Sequence, residues 1–406
     1  MRYKVQPEDF VVEEQIQFSL APRGCFAVCR VRKRGVTTLG VRAQMAHALR
    51  VPQSAVVAPA LKDKDAVAVQ HIAVRGTVPE RLVRDGFEAE FLGRSPRPLS
   101  PADVIANRFT IVVRDLSADE VARIGARLAQ VGRSGLHNYF DQQRFGSLEP
   151  GEEHIGKRIL RRDADGALRA YLTQPFAGDP TPVRVFKTFA AEQWGDWDAL
   201  FDAAPRPSNF RSVLTYLRDH PTADLEARNM HYRKALNLIN RRLLSLYLAA
   251  YQSLLWNRIA GRSLAAWLGD TDAHVEIAGE RLPVYRELPP DFDRAIAIPL
   301  PNHRAAYADS APSTSSTLLS RSGRSLDTIA AQVLAEEGLA LNDLKARILK
   351  KAYLSKGKRA LQLFPQDASV SSPEPDDLFP DRHKLTLTFT LTRGSYATLV
   401  IKTLVL

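Results

Sequence analysis

The chain has 406 residues, of which 45% are hydrophobic and 25% are charged, proportions that exclude a disordered, collagen-like or coiled-coil chain. Lysine and arginine number 56 against 45 acidic residues, a formal net charge of +11, which favours an acidic partner, nucleic acid before an anionic membrane. No apolar stretch reaches the ~20 residues that span a bilayer, and the acidic N-terminus does not resemble a signal peptide. We therefore expect a cytoplasmic protein of two or three domains.

Cofactor and metal motifs are missing from the sequence. The two cysteines are too few to staple a chain of this length, and no histidine–cysteine cluster has the spacing of a zinc site. No Walker-type phosphate loop and no Gly-rich GxGxxG turn follows a predicted strand. We therefore expect no metal and no small-molecule cofactor.

The first third of the chain alternates strand and helix patterns. Apolar alternation predicts strands over 25–33, 66–75 and 108–115. Thr37 or Thr38 can cap a helix that runs to about residue 49. These patterns predict an α/β or α+β domain over the first ~135 residues.

A second helix follows the strand at 108–115. Ser117 and Glu120 form a capping box at its start, and Gly132 is predicted to end it. The acidic and basic block at 62–65 (KDKD) is predicted to lie on a turn between two β-rich runs.

The rest of the chain begins with helices and returns to a strand. Residues 208–268 are strongly helical, and another helix pattern covers 326–354. Two segments are predicted to be loops. Residues 299–325 are rich in Ser, Pro and Thr, and residues 366–382 are acidic and predicted to be exposed. Strict alternation at 384–392 predicts a strand with one buried face. A β-rich start and end around a helical middle predict one domain inserted within another.

An aspartate between two lysines is the sharpest chemical feature. Nearby positive charge favours the ionised form of Asp63 and lowers its pKa, which suits a nucleophile or a general base. The alternative, a salt-bridged turn, is more frequent for such a block. Lys62 and Lys64 are the candidates for keeping Asp63 ionised, and strand alternation would let one of them face the site.

Aromatic and polar residues are concentrated at 138–146. Tyr139, Phe140 and Phe145 could stack nucleic-acid bases while Arg144 meets a phosphate. The alternative is an aromatic anchor where one domain docks on another, and the two roles do not exclude each other.

A basic loop near the C-terminus offers a second candidate for contact with nucleic acid. Lys356, Lys358 and Arg359 flank a glycine, and such a loop suits phosphate groups. A solvated loop with no partner is an equally common arrangement.

Seven segments stand out along the chain: PEDFVVEE at 7–14, RKRG at 32–35 with Thr37, LKDK at 61–64 with Ala66, Val67 and Gln70, NRF at 107–109, the block 135–146, AYQS at 250–253 with Asn257, and GSYAT at 394–398. Taken in this order, they resemble the motifs of the TruD family of pseudouridine synthases. A single motif of this length is weak evidence, but the order of all of them is specific to the family.

Some positions depart from the family pattern. His137 stands where the family has proline and Asp141 where it has glycine, Ala106 precedes Asn107 in place of glycine, and 59–60 is Pro-Ala in place of Ala-Gly. A carboxylate at 141 would repel phosphate if its loop faced RNA. This departure concerns the RNA contacts of the loop and leaves Asp63 unaffected.

The resemblance implies an α+β fold with two domains. A pseudouridine synthase catalytic domain, with a bent and largely antiparallel sheet flanked by helices, would be formed by 1–134 and 364–406. An inserted α/β domain, the TRUD domain of the family, would occupy 135–363.

The resemblance also implies an activity and its residues. Asp63 would be the catalytic aspartate, Phe10, Asn107 and Tyr396 would contact the substrate uridine, and Phe109 would be a second aromatic of that pocket. The expected enzyme is an isomerase that converts uridine to pseudouridine at position 13 in the D arm of tRNA. A monomer is the default expectation and does not follow from the resemblance. Asp63 would either attack C1′ of the ribose or remove the C2′ proton.

Two other classes of function stay open at this point. One is a non-catalytic RNA-binding protein or tRNA chaperone with the same fold, which the presence of Asp63, Asn107 and Tyr396 together disfavours. The other is a different base-acting enzyme, such as a methyltransferase, which the missing Gly-rich cofactor loop disfavours.

Overall fold

A computed structural model of the chain describes residues 1–147, 151–176, 178–290, 292–307 and 324–406. Most of the loop predicted at 299–325 lies outside the described residues. The strands are β1 (Arg2–Tyr3), β2 (Phe10–Ile16), β3 (Phe26–Lys33), β4 (Val56–Val57), β5 (Val67–Arg75), β6 (Arg81–Arg84), β7 (Phe87–Ser95), β8 (Val104–Leu116), β9 (Leu136–His137), β10 (His274–Ile277), β11 (Glu280–Pro283), β12 (Ala297–Pro299), β13 (Lys358–Ala360), β14 (Gln362–Leu363), β15 (Gln366–Val370), β16 (Glu374–Pro375) and β17 (His383–Thr392).

The helices are concentrated in the middle of the chain. They are α1 (Thr38–Ala48), α2 (Ala118–Ser134), α3 (Ile155–Leu160), α4 (Ala164–Thr173), α5 (Thr181–Glu192), α6 (Trp197–Ala203), α7 (Arg211–Asp219), α8 (Leu225–Leu236), α9 (Arg241–Leu268), α10 (Leu326–Glu336) and α11 (Ala397–Leu404). None of the helices in the described ranges combines the length and apolar character needed to cross a membrane. The chain folds as two units, one formed by 1–136 with 363–406 and the other by 137–362.

An 11-stranded sheet organises the first unit. Its strand order is β15-β17-β8-β2-β5-β3-β7-β6, with β1 on β8, β16 on β17 and β4 on β5. Strands β2 and β5 run parallel, whereas the other neighbours pair antiparallel. The large, mostly antiparallel sheet with flanking helices confirms the predicted α+β class. The predicted strands at 25–33, 66–75 and 384–392 are present as β3, β5 and β17.

Helix α1 packs on the sheet through its apolar residues. Val41 and Met45 are fully buried in one cluster with Val31 of β3 and Ile72 of β5. The helix begins at the predicted cap, where the Thr37 hydroxyl accepts a hydrogen bond from the Gly40 amide at 3.0 Å.

Helix α2 begins at the predicted capping box and ends later than predicted. The Ser117 and Glu120 side chains accept from each other's backbone amides. The helix continues past Gly132 to Ser134 and is capped by Gly135, whose φ of +73° is accessible mainly to glycine. A Cβ at Gly135 would also lie 2.8 Å from the Phe364 ring. The helix therefore ends where a left-handed residue and a close contact coincide, which the sequence pattern did not identify.

Two other sequence predictions are wrong in part. The helix predicted over 326–354 ends at Glu336, and only a single 3₁₀ turn, Leu341–Asp343, follows it. The segment 366–382, predicted to be an exposed loop, contains β15 and β16, which pair with β17.

The acidic part of this segment is bound to a buried arginine of β8. The Arg114 guanidinium, 3% exposed, donates from Nε to both Asp9 oxygens at 3.0 Å. Its Nη1 donates to Asp376 at 3.0 Å and to Asp377 at 2.8 Å. Asp9 and Asp376 are themselves buried. One cation therefore joins Asp9 of the N-terminal PEDF motif to the turn between β16 and β17.

We expect Arg114→Leu to destabilise the protein by about 3–5 kcal/mol, because it leaves two buried carboxylates without their cation. Urea unfolding at neutral pH measures the change. Arg108→Leu, at an exposed position of the same strand, is the matched control and should change the free energy of unfolding by less than about 0.5 kcal/mol. Equal effects of the two substitutions would contradict a structural role for the Arg114 network.

The second unit is mainly helical. The region 208–268, predicted to be strongly helical, contains α7, α8 and α9, and α9 buries both of its tryptophans, Trp256 and Trp267. Its strands are short and form antiparallel pairs, β10 with β11 and β12 with β13.

Candidate active site

The turn between β4 and β5 carries Asp63 and is anchored from both sides. The Lys62 amide donates to the Thr38 hydroxyl at 2.9 Å, and this hydroxyl donates to Gln70 at 3.1 Å. The Lys33 ammonium donates to the backbone carbonyl of Asp63 and, at 3.0 Å, to that of Val36. The backbone of Asp63 is therefore fixed by the start of α1 and by the end of β3.

Lys33 is a buried cation, 1% exposed, at the last residue of β3. Burial lowers its pKa, while the charges of Asp63 and Asp65 oppose that shift. The ammonium therefore both binds the Asp63 carbonyl and adds positive charge beside the Asp63 carboxylate.

Within the described ranges, the carboxylate of Asp63 has one direct cationic partner. The Lys4 ammonium lies 2.6 Å from Asp63 Oδ2 and 4.3 Å above the centre of the Phe10 ring. Burial by itself raises the pKa of Asp63, but the hydrogen bond and charge of Lys4, the Asp65 amide and the charge of Lys33 together bring it below its ordinary value. Asp63 is therefore ionised at neutral pH, as a nucleophile or base requires.

The source of that positive charge differs from the sequence prediction. Lys62 and Lys64 were the candidates, but the Lys62 ammonium contacts Asn107 Oδ1 at 2.6 Å and Glu14 Oε1 at 3.1 Å, and Lys64 is exposed. Among the described residues, Lys4 and Lys33 are the lysines that act on Asp63, and neither was a candidate for this role.

The strand register gathers the other predicted site residues on one face of the sheet. Glu14 of β2 is directly opposite Asn107 of β8, and Val12 is opposite Phe109. Since side chains alternate along a strand, Phe10 and Phe109 share the face of Glu14 and Asn107. The Phe10 and Phe109 rings meet edge-to-face with centroids 5.9 Å apart. The sheet thus brings Phe10, Asn107 and Phe109 together, and lysine contacts connect them to the turn of Asp63.

The two phenylalanines have little free surface. Phe10 is 5% and Phe109 8% exposed, and Lys4 covers one side of Phe10. Phe10 therefore packs against Lys4 on one side and Phe109 on another. The two rings leave little exposed area for stacking against a base.

Tyr396 follows β17, the strand that pairs with β8 on the side away from β2. It is half-buried and immediately precedes α11. The preceding turn is tied to β8, because the Arg393 amide donates to the Ile105 carbonyl at 3.2 Å and Thr392 pairs with Ala106. Tyr396 therefore follows a turn held at the end of β8 that carries Asn107.

The aromatic block of the second unit is buried, which contradicts base stacking by its rings. Tyr139, Phe140 and Phe145 are at most 8% exposed. Both the amide and the carbonyl of Phe140 pair with the Asn257 side chain at 2.8 Å. This block therefore belongs to the interior of its unit.

The predicted RNA-binding cations of this unit fall into two groups. Arg359 donates to Asn138 and lies 4.0 Å above the Phe140 ring, and Arg144 donates to Ser253 at 3.0 Å. Lys356 and Lys358 are exposed. The two lysines are therefore the members of the set whose charge faces solvent.

Both departures in the block at 135–146 are buried. Asp141, 1% exposed, does not face solvent, so the expected repulsion of phosphate does not apply. Burial lowers the pKa of His137 to about 3, and its Nε2 accepts from the Tyr285 amide at 3.0 Å. His137 is therefore a neutral, internally bonded residue of the second unit.

No role was predicted for Lys4, Lys33 or Glu14, although the last two lie within the matching segments 32–35 and 7–14. A signal existed for Lys33, which continues the inward alternation of Ala27, Cys29 and Val31 in β3, so that a lysine occupies an apolar position. Glu14 likewise continues the buried alternation of β2. Lys4 carries no local signal. In the described parts of the chain, no group of three or more His, Cys, Asp or Glu side chains is placed to hold a metal ion.

Comparison with known proteins gives consistent matches over nearly the whole chain. The family model described as tRNA pseudouridine synthase D (TruD) matches residues 1–404. A Methanocaldococcus jannaschii protein named as a tRNA pseudouridine synthase D is 28% identical over 405 residues, covering 99% of this chain and 91% of its own. The tRNA pseudouridine synthase D of Aquifex aeolicus is 27% identical over 413 residues, covering 100% and 98%. A crystal structure of a Methanosarcina mazei protein named as a tRNA pseudouridine synthase D shares the fold, with a TM-score of 0.66 at 22% identity over 99% of this chain and 92% of that one.

Proposed function

The chain belongs to the TruD family of tRNA pseudouridine synthases, and from this premise we propose that Asp63 is the residue that isomerises the target uridine. The protein is an isomerase that converts uridine in tRNA to pseudouridine. The observation that carries the proposal is the ionised Asp63 carboxylate, 2.6 Å from Lys4 on a turn fixed by Lys33 and Thr38. The first unit, 1–136 with 363–406, would hold the chemistry.

The reaction needs an ionised carboxylate and little else. The N1–C1′ bond breaks, the uracil turns, and a C5–C1′ bond forms; the hydrogen on C5 leaves as a proton and N1 gains one. Asp63 either attacks C1′, as a glycosidase carboxylate does, or removes the C2′ proton to give a glycal. No redox change and no energy input are required, which supports catalysis without a cofactor.

The target base has to leave its stack to reach Asp63. We place it against Asn107 and Tyr396, because Phe10 and Phe109 are nearly buried. Asn107 has hydrogen-bonding capacity for the uracil edge, and Tyr396 is half-buried beside the end of β8. Lys356 and Lys358 would meet phosphates of the tRNA.

We further propose that the target is uridine 13 in the D arm and that the protein acts as a monomer in the cytoplasm. The test is tritium release from tRNA transcripts labelled at uridine C5, with no cofactor added. Release is expected from a transcript with uridine at position 13, and none from the matched transcript in which cytidine replaces it. Undiminished release from the second transcript would place the target elsewhere, and no release from either would overturn the proposal.

A further inference from the structure

Lys62 is enclosed between two polar side chains of the sheet. Its side chain is 8% exposed, and that of Glu14 is fully buried. The ammonium lies 2.6 Å from Asn107 Oδ1 and 3.1 Å from Glu14 Oε1. Glu14 Oε2 in turn accepts from the His71 amide at 2.9 Å. Glu14 of β2 therefore holds the Lys62 ammonium while the ammonium contacts Asn107 of β8, the residue proposed to face the substrate.

This contact fixes the orientation of the Asn107 amide. The oxygen and nitrogen of a side-chain amide are nearly equivalent in shape, so the choice between them depends on hydrogen-bonding partners. An ammonium has three donors and no acceptor, so the atom 2.6 Å from Lys62 has to be the oxygen. A flipped amide would place two donors against each other.

The fixed orientation leaves one kind of group for a ligand. Within the described part of the chain, the Asn107 side chain has one hydrogen bond, the one from Lys62, so its Nδ2 donors are available. They require an acceptor. Uracil offers carbonyl oxygens at C2 and C4, whereas cytosine has an amino donor in place of O4.

We propose that Lys62, held by Glu14, is a positioning residue that locks Asn107 as a donor to a carbonyl oxygen of the target uracil. The proposal rests on the proposed function, since it assumes that the base occupies the space beside Asn107 and Asp63. Asn107 touches the base, and Lys62 acts through it. Lys62 and Asp63 are adjacent in sequence but have different roles. Asp63 performs the chemical step, and Lys62 determines the orientation of the side chain that binds the base.

The test is a double-mutant cycle on kcat/KM for tritium release. Asn107→Asp is nearly isosteric and keeps an oxygen for Lys62 but has no donor, so we expect a loss of ~10³-fold. Lys62→Met frees the amide to flip, with an expected loss of ~10²-fold. Because Lys62 acts through Asn107, the double variant should lose no more than Asn107→Asp alone. Lys62→Arg, which keeps donors at this position, should recover part of the activity.

Several controls separate the possible failures. Lys64→Met, at the exposed lysine of the same turn, should leave kcat/KM within about 2-fold. Lys62→Met leaves the buried Glu14 without its cation and could prevent folding. In that case Lys62→Met combined with Glu14→Gln, which removes both charges, takes its place in the double-mutant cycle. Losses of Lys62 and Asn107 that multiply in the double variant would overturn the positioning role. Absence of tritium release from the unchanged protein would instead refute the proposed function.

Discussion

Asp63→Asn is expected to abolish tritium release, with a loss of ~10⁴-fold or more in kcat. The carboxamide is neutral, so it can neither attack C1′ nor accept the C2′ proton. The substitution is nearly isosteric and keeps an oxygen for the Lys4 ammonium, which lies 2.6 Å from Asp63 Oδ2. The Lys33 contact is to the backbone carbonyl and does not depend on the side chain. The fold and the anchored turn should therefore persist.

Binding and stability provide the discriminating measurements for this variant. We expect the affinity for unmodified tRNA, measured by filter binding, to change by less than about 10-fold, and the melting temperature to stay close to that of the unchanged protein. Asp65→Asn is the matched control, because Asp65 is the exposed aspartate of the same turn; it should retain turnover. A loss of tRNA affinity as large as the loss of activity would contradict a chemical role for Asp63.

The local part of the site could be predicted from the sequence. The turn that carries Asp63 lies between β-rich runs, as alternation predicted, and caps at Thr37 and Ser117 begin α1 and α2. These features depend on neighbouring residues and on backbone geometry. The position of Asn107 beside the Asp63 turn depends on the pairing of β8 with β2 and on the Lys62 contact, and here the order of the family motifs supplied what the local pattern did not.

The partners of the site residues depend on contacts that are distant along the chain. Lys4 and Asp63 are 59 residues apart, and Arg114 and Asp376 are separated by 262. A lysine adjacent to an aspartate in sequence was therefore a poor guide to which lysine neutralises it. Lys62 is an example: it is adjacent to Asp63 in sequence, but its ammonium pairs with the buried Glu14.

Burial was the other property that composition did not disclose. A ring that stacks on a base and a ring that fills a core are equally apolar, so the block at 138–146 allowed both interpretations. Asn257 binds the backbone of Phe140 and Arg359 covers its ring, so the structure supports the interior role over base stacking. Burial of the acids in 366–382 was equally hard to predict, because an aspartate is usually exposed. Asp376 is buried because the buried cation Arg114 binds it.

Lys4→Met is expected to lower kcat/KM by ~10²-fold at neutral pH and to move the acidic limb of its pH profile to higher pH. In the unchanged protein, burial raises the pKa of Asp63, and Lys4, the Asp65 amide and Lys33 more than offset it. Without Lys4, the effect of burial is opposed by the smaller contributions of the Asp65 amide and Lys33. Protonation, which inactivates the carboxylate, should then begin at a higher pH.

The same shift fixes the sign of the accompanying stability change. Because folding lowers the pKa of Asp63, its ionised form stabilises the protein above the unfolded pKa, and this contribution is lost as the pH falls through the folded pKa. Lys4→Met should therefore reduce stability at neutral pH and flatten its dependence on acid. Profiles of kcat/KM from about pH 3 to 8, with Lys4→Arg as the charge-retaining control, measure the shift. A profile that is lowered but keeps its acidic limb would mean that Lys4 positions Asp63 without setting its ionisation.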